Sequence, residues 1–274
     1  MTDVVVEQEL TGTREGLTQL QRRWRPPGTT RSAVLVVHGV GEHSGRYDHV
    51  GRFLAARGHD VLSFDNRGHG QSGGKRGHVD RFVHFLDDVE DLVVERRQLG
   101  VPVVLLGHSL GGLIAATYVV RGRPQPSLLV LSSPALGVVT ARWRRLLAPI
   151  LSRVAPSVLV RNDIDGSVLS SDPAVAEAYE RDPLRVKGST GRFGHEVLTT
   201  MDETGAALDR LSVPTYVLHG SADTLVPAEH SQPLADLPNV TYRLWPGLRH
   251  ECFNEPNGGD VLGELVDWIE ARLG

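Results

Sequence analysis

Residues 107–112 read GHSLGG and follow directly on the apolar run VPVVLL at 101–106. A short apolar run of that kind, ended by glycine, reads as a strand buried on both faces. The residues after it, LIAATYVV, read as a helix. A serine hemmed in by glycines at such a junction is a costly turn, because glycine is used where φ must be positive or where backbones approach closely. Gly107-x-Ser109-x-Gly111 between a strand and a helix is the pattern of an elbow that exposes a nucleophilic hydroxyl above the edge of a sheet. A structural turn serine is the competing reading, and the rest of the chain has to decide between them.

Outward from this stretch the same alternation recurs. Further strands are expected at 33–38, 60–65, 127–131, 213–219 and 240–245, and helices at 47–57, 81–99, 110–121, 227–234 and 260–273. In the second helix Phe82, Phe85, Leu86, Val89, Leu92 and Val93 fall at amphipathic spacing. Alternating strands and helices predict an α/β fold, a mostly parallel central sheet with helices on both faces. The first 25 residues read as a hairpin at an antiparallel edge. The alternation fails from about 132 to 211, a proline-punctuated stretch. The expectation is one domain, 1–274, with a cap inserted at about 134–208 over the sheet edge where α/β folds bind ligands. A plain linker is the alternative, disfavoured because structureless loops of that length are uncommon inside compact domains.

Composition narrows the function. The chain has 274 residues, a net charge of −4, 12 histidines and one cysteine. It lacks the basic balance of a nucleic-acid binder, so no nucleic-acid partner is expected. One cysteine excludes an internal disulfide and a multi-cysteine zinc site. The opening MTDVVVEQEL has no secretory pattern, and no run approaches a membrane span; a cytoplasmic enzyme is expected.

A serine hydroxyl is a weak nucleophile without a base, and the base needs an orienting carboxylate. In strand–elbow–helix hydrolases the order along the chain is serine, acid, histidine. Asp223 stands in GSAD just past the strand ending at His219, and His250 stands in RLWPGLRHECF, between the last strand and the last helix. Both fall at the edge that carries Ser109. The competing readings are a helix-capping aspartate and a surface histidine; His219 itself reads as a packed strand-end residue. Two donors for an oxyanion are expected from the N–H of Leu110, next to the nucleophile, and of Val40, in the glycine loop of VLVVHGVGEHSGRY. A loop that only connects strand to helix is the alternative for Val40. DNRGHGQSGGKRGHVD matches neither phosphate-binding glycine pattern and reads as a structural loop bracing the oxyanion side. His43, His69, His78 and His84 have no ligand spacing, so no metal is expected. Cys252, two residues from His250, is expected to report on that loop wherever a thiol reagent can reach it.

HGVGEHSGRY, DNRGHGQSGG, GHSLGG, GSADTLVP and RHECFNEP together resemble the monoacylglycerol lipases of the α/β-hydrolase superfamily, especially their bacterial branch. The likeness runs from about Arg31 to the C-terminus. It implies the α/β-hydrolase fold, a triad of Ser109, Asp223 and His250, the Val40 and Leu110 amides as oxyanion hole, and a cap. It also implies that Glu42 and Arg46 lie near the glycerol end of the site, with a mutual i,i+4 salt bridge as the bland alternative. The stretch that departs from the family pattern is the cap, where substrate choice resides.

The expected activity is therefore two-step acyl transfer from a lipid ester, most simply a monoacylglycerol, with no cofactor. The alternatives are a general carboxylesterase, lysophospholipase or peptidase on the same scaffold, or a non-catalytic binding protein. Within the cap, VVTARWRRLLAPILSRV sets Val138, Val139, Trp143, Leu146, Leu147, Ile150 and Leu151 against Arg142, Arg144, Arg145 and Arg153. That is the make-up of an interfacial helix, which predicts peripheral membrane contact through the cap; an ordinary packed helix, ended or kinked at Pro149, is the alternative.

Overall fold

The computed structural model describes residues 4–137, 142–161 and 164–273, and for residues 142–147 the backbone alone. The chain opens with β1 (Val5–Gly12) and β2 (Thr18–Arg25), then alternates β3 (Ser32–Val37), α1 (Asp48–Ala56), β4 (His59–Phe64), α2 (Val83–Arg97), β5 (Val103–His108), α3 (Leu110–Val120) and β6 (Leu128–Ser132). A long segment follows with α4 (Arg142–Val154), β7 (Leu159–Arg161), α5 (Pro173–Arg181), β8 (Gly188–Thr190) and α6 (Gly191–Gly205). The chain then returns to β9 (Thr215–Gly220), β10 (Val240–Trp245) and α7 (Gly258–Leu273). Eight strands form one sheet in the order β1-β2-β4-β3-β5-β6-β9-β10. The first hairpin and the β2–β4 pair are antiparallel, and every later pair is parallel.

Successive side chains of a strand point to opposite faces, so an all-apolar strand feeds two cores. On β3, Leu35 and Val37 pack with α2 and α3, whereas Val34 and Val36 pack with α1 and α7. Helix α3 is apolar on every side because all of it is buried. One flank meets the sheet and another meets α6, which in turn packs on α4. Strands β7 and β8 pair antiparallel as a separate ribbon.

Two expectations need correction. Residues 227–234 form two short 3-10 turns, Ala228–His230 and Gln232–Asp236, rather than a helix. Pro233 cannot donate to Glu229 O, and its ring would strike that carbonyl. Strand β5 starts later and runs through Gly107 and His108, up to the serine itself. Helix α4 continues past Pro149 to Val154. Among the described residues no helix is long and apolar enough to cross a membrane.

Candidate active site

The elbow is built by close backbone approach. A Cβ on Gly111 would lie 2.0 Å from Val37 O, and one on Gly107 would lie 2.2 Å from Gly111 O. Only glycine fits either place, so β5 can turn into α3 in a single residue. That residue, Ser109, has φ 52° and ψ −115°. It is held there by Ser109 N–H donating to Ser132 O (3.0 Å) and by its own carbonyl accepting from Leu113 and Ala135. Among the described residues one other non-glycine residue has positive φ, Ser133 at 41°. It donates from N to Leu218 O and from Oγ to His250 O, each at 2.8 Å. Both strained residues therefore sit at this edge, where strain persists because the surroundings enforce it.

Asp223 follows β9 in a tight turn, its N–H bonded to Gly220 O. Its carboxylate accepts four hydrogen bonds. Oδ1 takes the backbone N–H groups of Leu225 and Val226, each at 2.9 Å. Oδ2 takes His250 Nδ1–H at 2.7 Å and His219 Nε2–H at 3.1 Å. Burial works against the charge, but the bonds from His219, His250 and Val226 outweigh it and hold this carboxyl well below the usual carboxylate range. With Nδ1–H committed to Asp223, the other ring nitrogen of His250 is left as an acceptor. His108 packs against that ring, centroids 4.8 Å apart. Burial first, and the nearby His250 second, push His108 down to about 3, so it stays neutral.

Ser109 and His250 line the same small cavity, of about 20 Å³, together with Glu42, Tyr179 and Glu251. Ser109 also lines a second cavity of about 390 Å³, walled by apolar residues of α3, α4 and α6 and by Val40 and Leu225. Phe193, Val197, Leu198 and Met201 form much of that wall. The serine thus stands between a large apolar chamber and a small mixed one that Glu42, His250 and Glu251 border.

Glu42 borders the small chamber, but Arg46 lies behind it. Arg46 is 3.5 Å from Glu42 Oε2 and donates to Glu251 Oε2 at 2.6 Å, so the i,i+4 ion pair exists with a third member. Glu42 Oε1 also accepts from Tyr47 O–H at 2.8 Å and from the Gly39 amide. Burial disfavours the Arg46 charge, but Glu251 and Glu42 outweigh it and raise its pKa. One guanidinium nitrogen, Arg46 Nη1, is buried with no partner among the described residues.

The loop 65–80 ties to the same region: Asn66 N–H donates to His38 Nε2 (2.8 Å), and Asp65 Oδ1 accepts from Ser44 N–H (2.8 Å). Of the four histidines weighed as metal ligands, two tie the chain to the long segment instead, His43 to Asp182 and His78 to Thr190, each at 2.7 Å. Cys252 is fully buried, and burial pushes its thiol up to about 12. The expectation that it could report on the loop therefore meets a closed site. Val138 and Val139 lie outside the described residues, and the side chains of Trp143, Leu146 and Leu147 are not described.

A family profile described as serine aminopeptidase, S33, matches residues 28–257. The monoacylglycerol lipase of Mycolicibacterium smegmatis is 36% identical over 91% of this chain and 92% of its own. The human monoglyceride lipase is 34% identical over 92% of this chain and 86% of its own. The chain belongs to the monoacylglycerol lipase family of α/β hydrolases. The crystal structure of the Paleococcus ferrophilus monoacylglycerol lipase superposes with a TM-score of 0.81, at 30% identity over 99% of this chain and 100% of that one. The protein is accordingly a serine ester hydrolase. Within this family member, sequence reasoning missed three contacts at the site: His219 on Asp223, Ser133 on the His250 carbonyl, and Glu251 beside Glu42. The i,i+4 spacing of His219 and Asp223 around a turn was the available signal for the first. The other two are contacts between distant loops and leave no local pattern.

Proposed function

We propose that this enzyme hydrolyses monoacylglycerols to fatty acid and glycerol, with Ser109 as nucleophile, His250 as base and Asp223 as its orienting acid. The observation that carries the reading is the position of Ser109 between a large apolar chamber and a small one bordered by the polar side chains of Glu42, Tyr179, His250 and Glu251. An ester of one fatty acyl chain with a small polar alcohol has that two-part shape.

In this mechanism the acyl chain enters the apolar chamber, and the ester carbonyl rests at Ser109. His250 takes the hydroxyl proton as Ser109 attacks, and Asp223 holds the imidazole and stabilises its charged form. The developing oxyanion is received by the N–H groups of Leu110 and Val40. Leu110 opens α3, so its N–H has no acceptor within the helix. The Val40 amide makes no backbone hydrogen bond among the described residues. Losing one such donor costs roughly 3–4 kcal/mol in a well-studied serine protease. His250 then protonates the departing alcohol, and water releases the acid by the same steps in reverse. Glu42 borders the alcohol side, with Arg46 and Glu251 completing its ion pair. Arg46 pairs with both carboxylates, and its single positive charge offsets one of their two negative charges.

The segment 134–208 is the cap in this reading. Ile164, Leu169 and Tyr179 from it close the small chamber, and Ala148, Leu151 and Val160 wall the large one. Its tip exposes Ile150, Val154, Val158 and Leu159, with Val154 at 74%. Lys75 reaches that tip through a bond to Ser157 O (2.8 Å), and exposed Lys187 directly precedes β8. An apolar tip with cations beside it at the mouth of an apolar chamber suits a lipid surface.

The test is turnover on mono-, di- and triacylglycerols, with amides alongside, for the native enzyme and Ser109→Ala. Monoacylglycerol is expected to be preferred, and Ser109→Ala to lose both turnover and fluorophosphonate labelling while melting cooperatively. Equal rates on triacylglycerols remove the monoester reading, and a Ser109→Ala enzyme that keeps a tenth of its activity removes the nucleophile.

A further inference from the structure

Beside the proposed triad, a fourth buried side chain is held on both ring nitrogens. His219 is the penultimate residue of β9 and is fully buried. Its Nε2 lies 2.8 Å from Val226 O and 3.1 Å from Asp223 Oδ2. Both are acceptors, so Nε2 carries the proton. Its Nδ1 lies 2.7 Å from Ser231 Oγ, which lies 3.0 Å from the hydroxyl of Tyr242 on β10. A neutral ring satisfies the whole chain: Tyr242 donates to Ser231, Ser231 to Nδ1, and Nε2–H to the carboxylate and the carbonyl. The Val226 carbonyl makes this tautomer the only one without a clash of acceptors. Toward Asp223, His219 therefore has a single capacity, to donate.

We propose that His219 is a positioning residue, a second histidine that fixes the acid on which His250 turns. The inference rests on Asp223 being that acid. Leu225 and Val226 hold Oδ1, and because rotation about the Cβ–Cγ bond moves both oxygens together, a further donor on Oδ2 resists the same rotation from the other end of the carboxylate. The second donor on Oδ2 comes from a strand rather than a loop and helps to set the carboxylate plane. With the plane set, Oδ2 meets His250 Nδ1 at 2.7 Å. Misdirecting the histidine by disturbing the acid is costly: a wrong tautomer at this point costs about 10⁴ in kcat in a related triad.

The test separates the two ends of the ring by substitution. In His219→Gln the amide N–H reaches the place of Nε2 and can still donate to Asp223. In His219→Asn the shorter amide keeps a partner for Ser231 and cannot reach Asp223. In His219→Leu both are lost. Each variant is titrated with a fluorophosphonate to count working serines, and kcat and KM are expressed per titrated site. Per-site kcat is expected to fall about 10- to 100-fold in His219→Leu and His219→Asn, the scale of one hydrogen bond to a charged group, with KM within about twofold. His219→Gln is expected to stay within about threefold of native on the same scale. A purely structural role predicts a lower melting temperature and fewer titratable sites, with unchanged kcat per site; that result overturns the inference. If His219→Leu does not fold, the contrast between Gln and Asn decides alone, and equal per-site kcat in the two overturns it. Ser109→Ala run in parallel keeps the two readings apart. Turnover there defeats the triad itself, whereas a dead Ser109→Ala beside a His219→Asn enzyme of native kcat defeats only the role of His219.

Discussion

Gly194 offers the sharpest handle on the acyl chamber. It lies in α6 with Val197, Leu198 and Met201, and all four line the 390 Å³ cavity. Their spacing is i, i+3, i+4 and i+7, one face of a helix. A Cβ built on Gly194 has no heavy atom within 4 Å, so a larger side chain there enters open space. Gly194→Leu adds a four-carbon side chain to the chamber and displaces a comparable length of substrate. Burial of each methylene contributes about 0.8 kcal/mol, so four of them amount to about 3 kcal/mol. That is about two orders of magnitude in kcat/KM for a substrate long enough to fill the chamber. Inside a helix, replacing glycine with leucine also recovers most of about 1 kcal/mol of propensity, so the variant should melt no lower than native. The assay is kcat/KM on p-nitrophenyl esters from acetate to palmitate, with monoacylglycerols as a second series. Acetate and butyrate are expected within about twofold of native, and the chain-length optimum to move shorter by about four carbons. A uniform loss across all lengths, or an unchanged profile, refutes the assignment of this chamber to the acyl chain.

Val154→Ser combined with Val158→Ser should weaken binding to anionic vesicles in a flotation assay and leave hydrolysis of a soluble acetate ester within about twofold; undiminished flotation removes the lipid-facing role of the tip. Acid should destabilise the fold below the ordinary histidine range. Burial lowers His38 and, with the nearby His38 adding to it, holds His69 down to about 3. As pH falls from about 6.5 toward that value the unfolded chain takes protons that the folded chain refuses, so stability is full above about 6.5 and drops by about 1.4 kcal/mol per pH unit for each such ring. His69→Gln should flatten the urea-derived stability slope between pH 6 and 4 by about one proton, and an unchanged slope counts against burial as the cause. Cys252 should remain unlabelled by maleimides in the native enzyme and label on unfolding, and Cys252→Ala should keep its turnover; native-state labelling seen by mass spectrometry contradicts the closed site.

The parts of this site that sequence makes legible are those that topology makes local. GHSLGG names its own geometry, because a Cβ on Gly107 or Gly111 would stand about 2 Å from a backbone oxygen, closer than any side chain can come. Asp223 and His250 are legible because parallel strands all end at one edge, so a carboxylate after one strand and an imidazole after the next must fall near the serine. The hairpin and the alternating core follow from the same short-range patterns. What was hidden depends on side-chain reach. His219 looks like any strand-end histidine until the turn 220–223 folds Asp223 back over it. Glu251 is one more acidic residue until Arg46, 205 positions earlier, donates to it. The missing helix at 227–234 was legible in Pro233, whose lack of an N–H outweighs the apolar pattern around it.

The order of the strands explains how chemistry and substrate choice are kept apart. Ser109 follows β5, Asp223 follows β9 and His250 follows β10, and β6 lies between the first two in the sheet. The end of β6 joins the loops: Ser132 O holds Ser109 N–H, Ser133 N–H holds Leu218 O in β9, and Ser133 Oγ holds the His250 carbonyl. Ala222 N–H bonds Leu248 O and closes the circle between the acid loop and the histidine loop. All of these contacts are made before the chain leaves β6 for the long segment or after it returns. Residues 134–208 enter and leave the sheet without supplying any of the three proposed triad side chains. That segment supplies instead the far walls of both chambers, with Leu151, Val160 and Phe193 on the large one proposed for the acyl chain and Tyr179 on the small one proposed for the alcohol. Changes confined to these wall side chains are expected to alter which ester fits, because none of them makes a bond of that backbone circle. The segment also braces the site through its backbone: Ala135 N–H donates to Ser109 O, Glu251 N–H to Leu169 O and Val186 N–H to Gly41 O, so its ends and inner loops are tied to the elbow, the histidine loop and the glycine loop while its wall side chains remain the part free to vary.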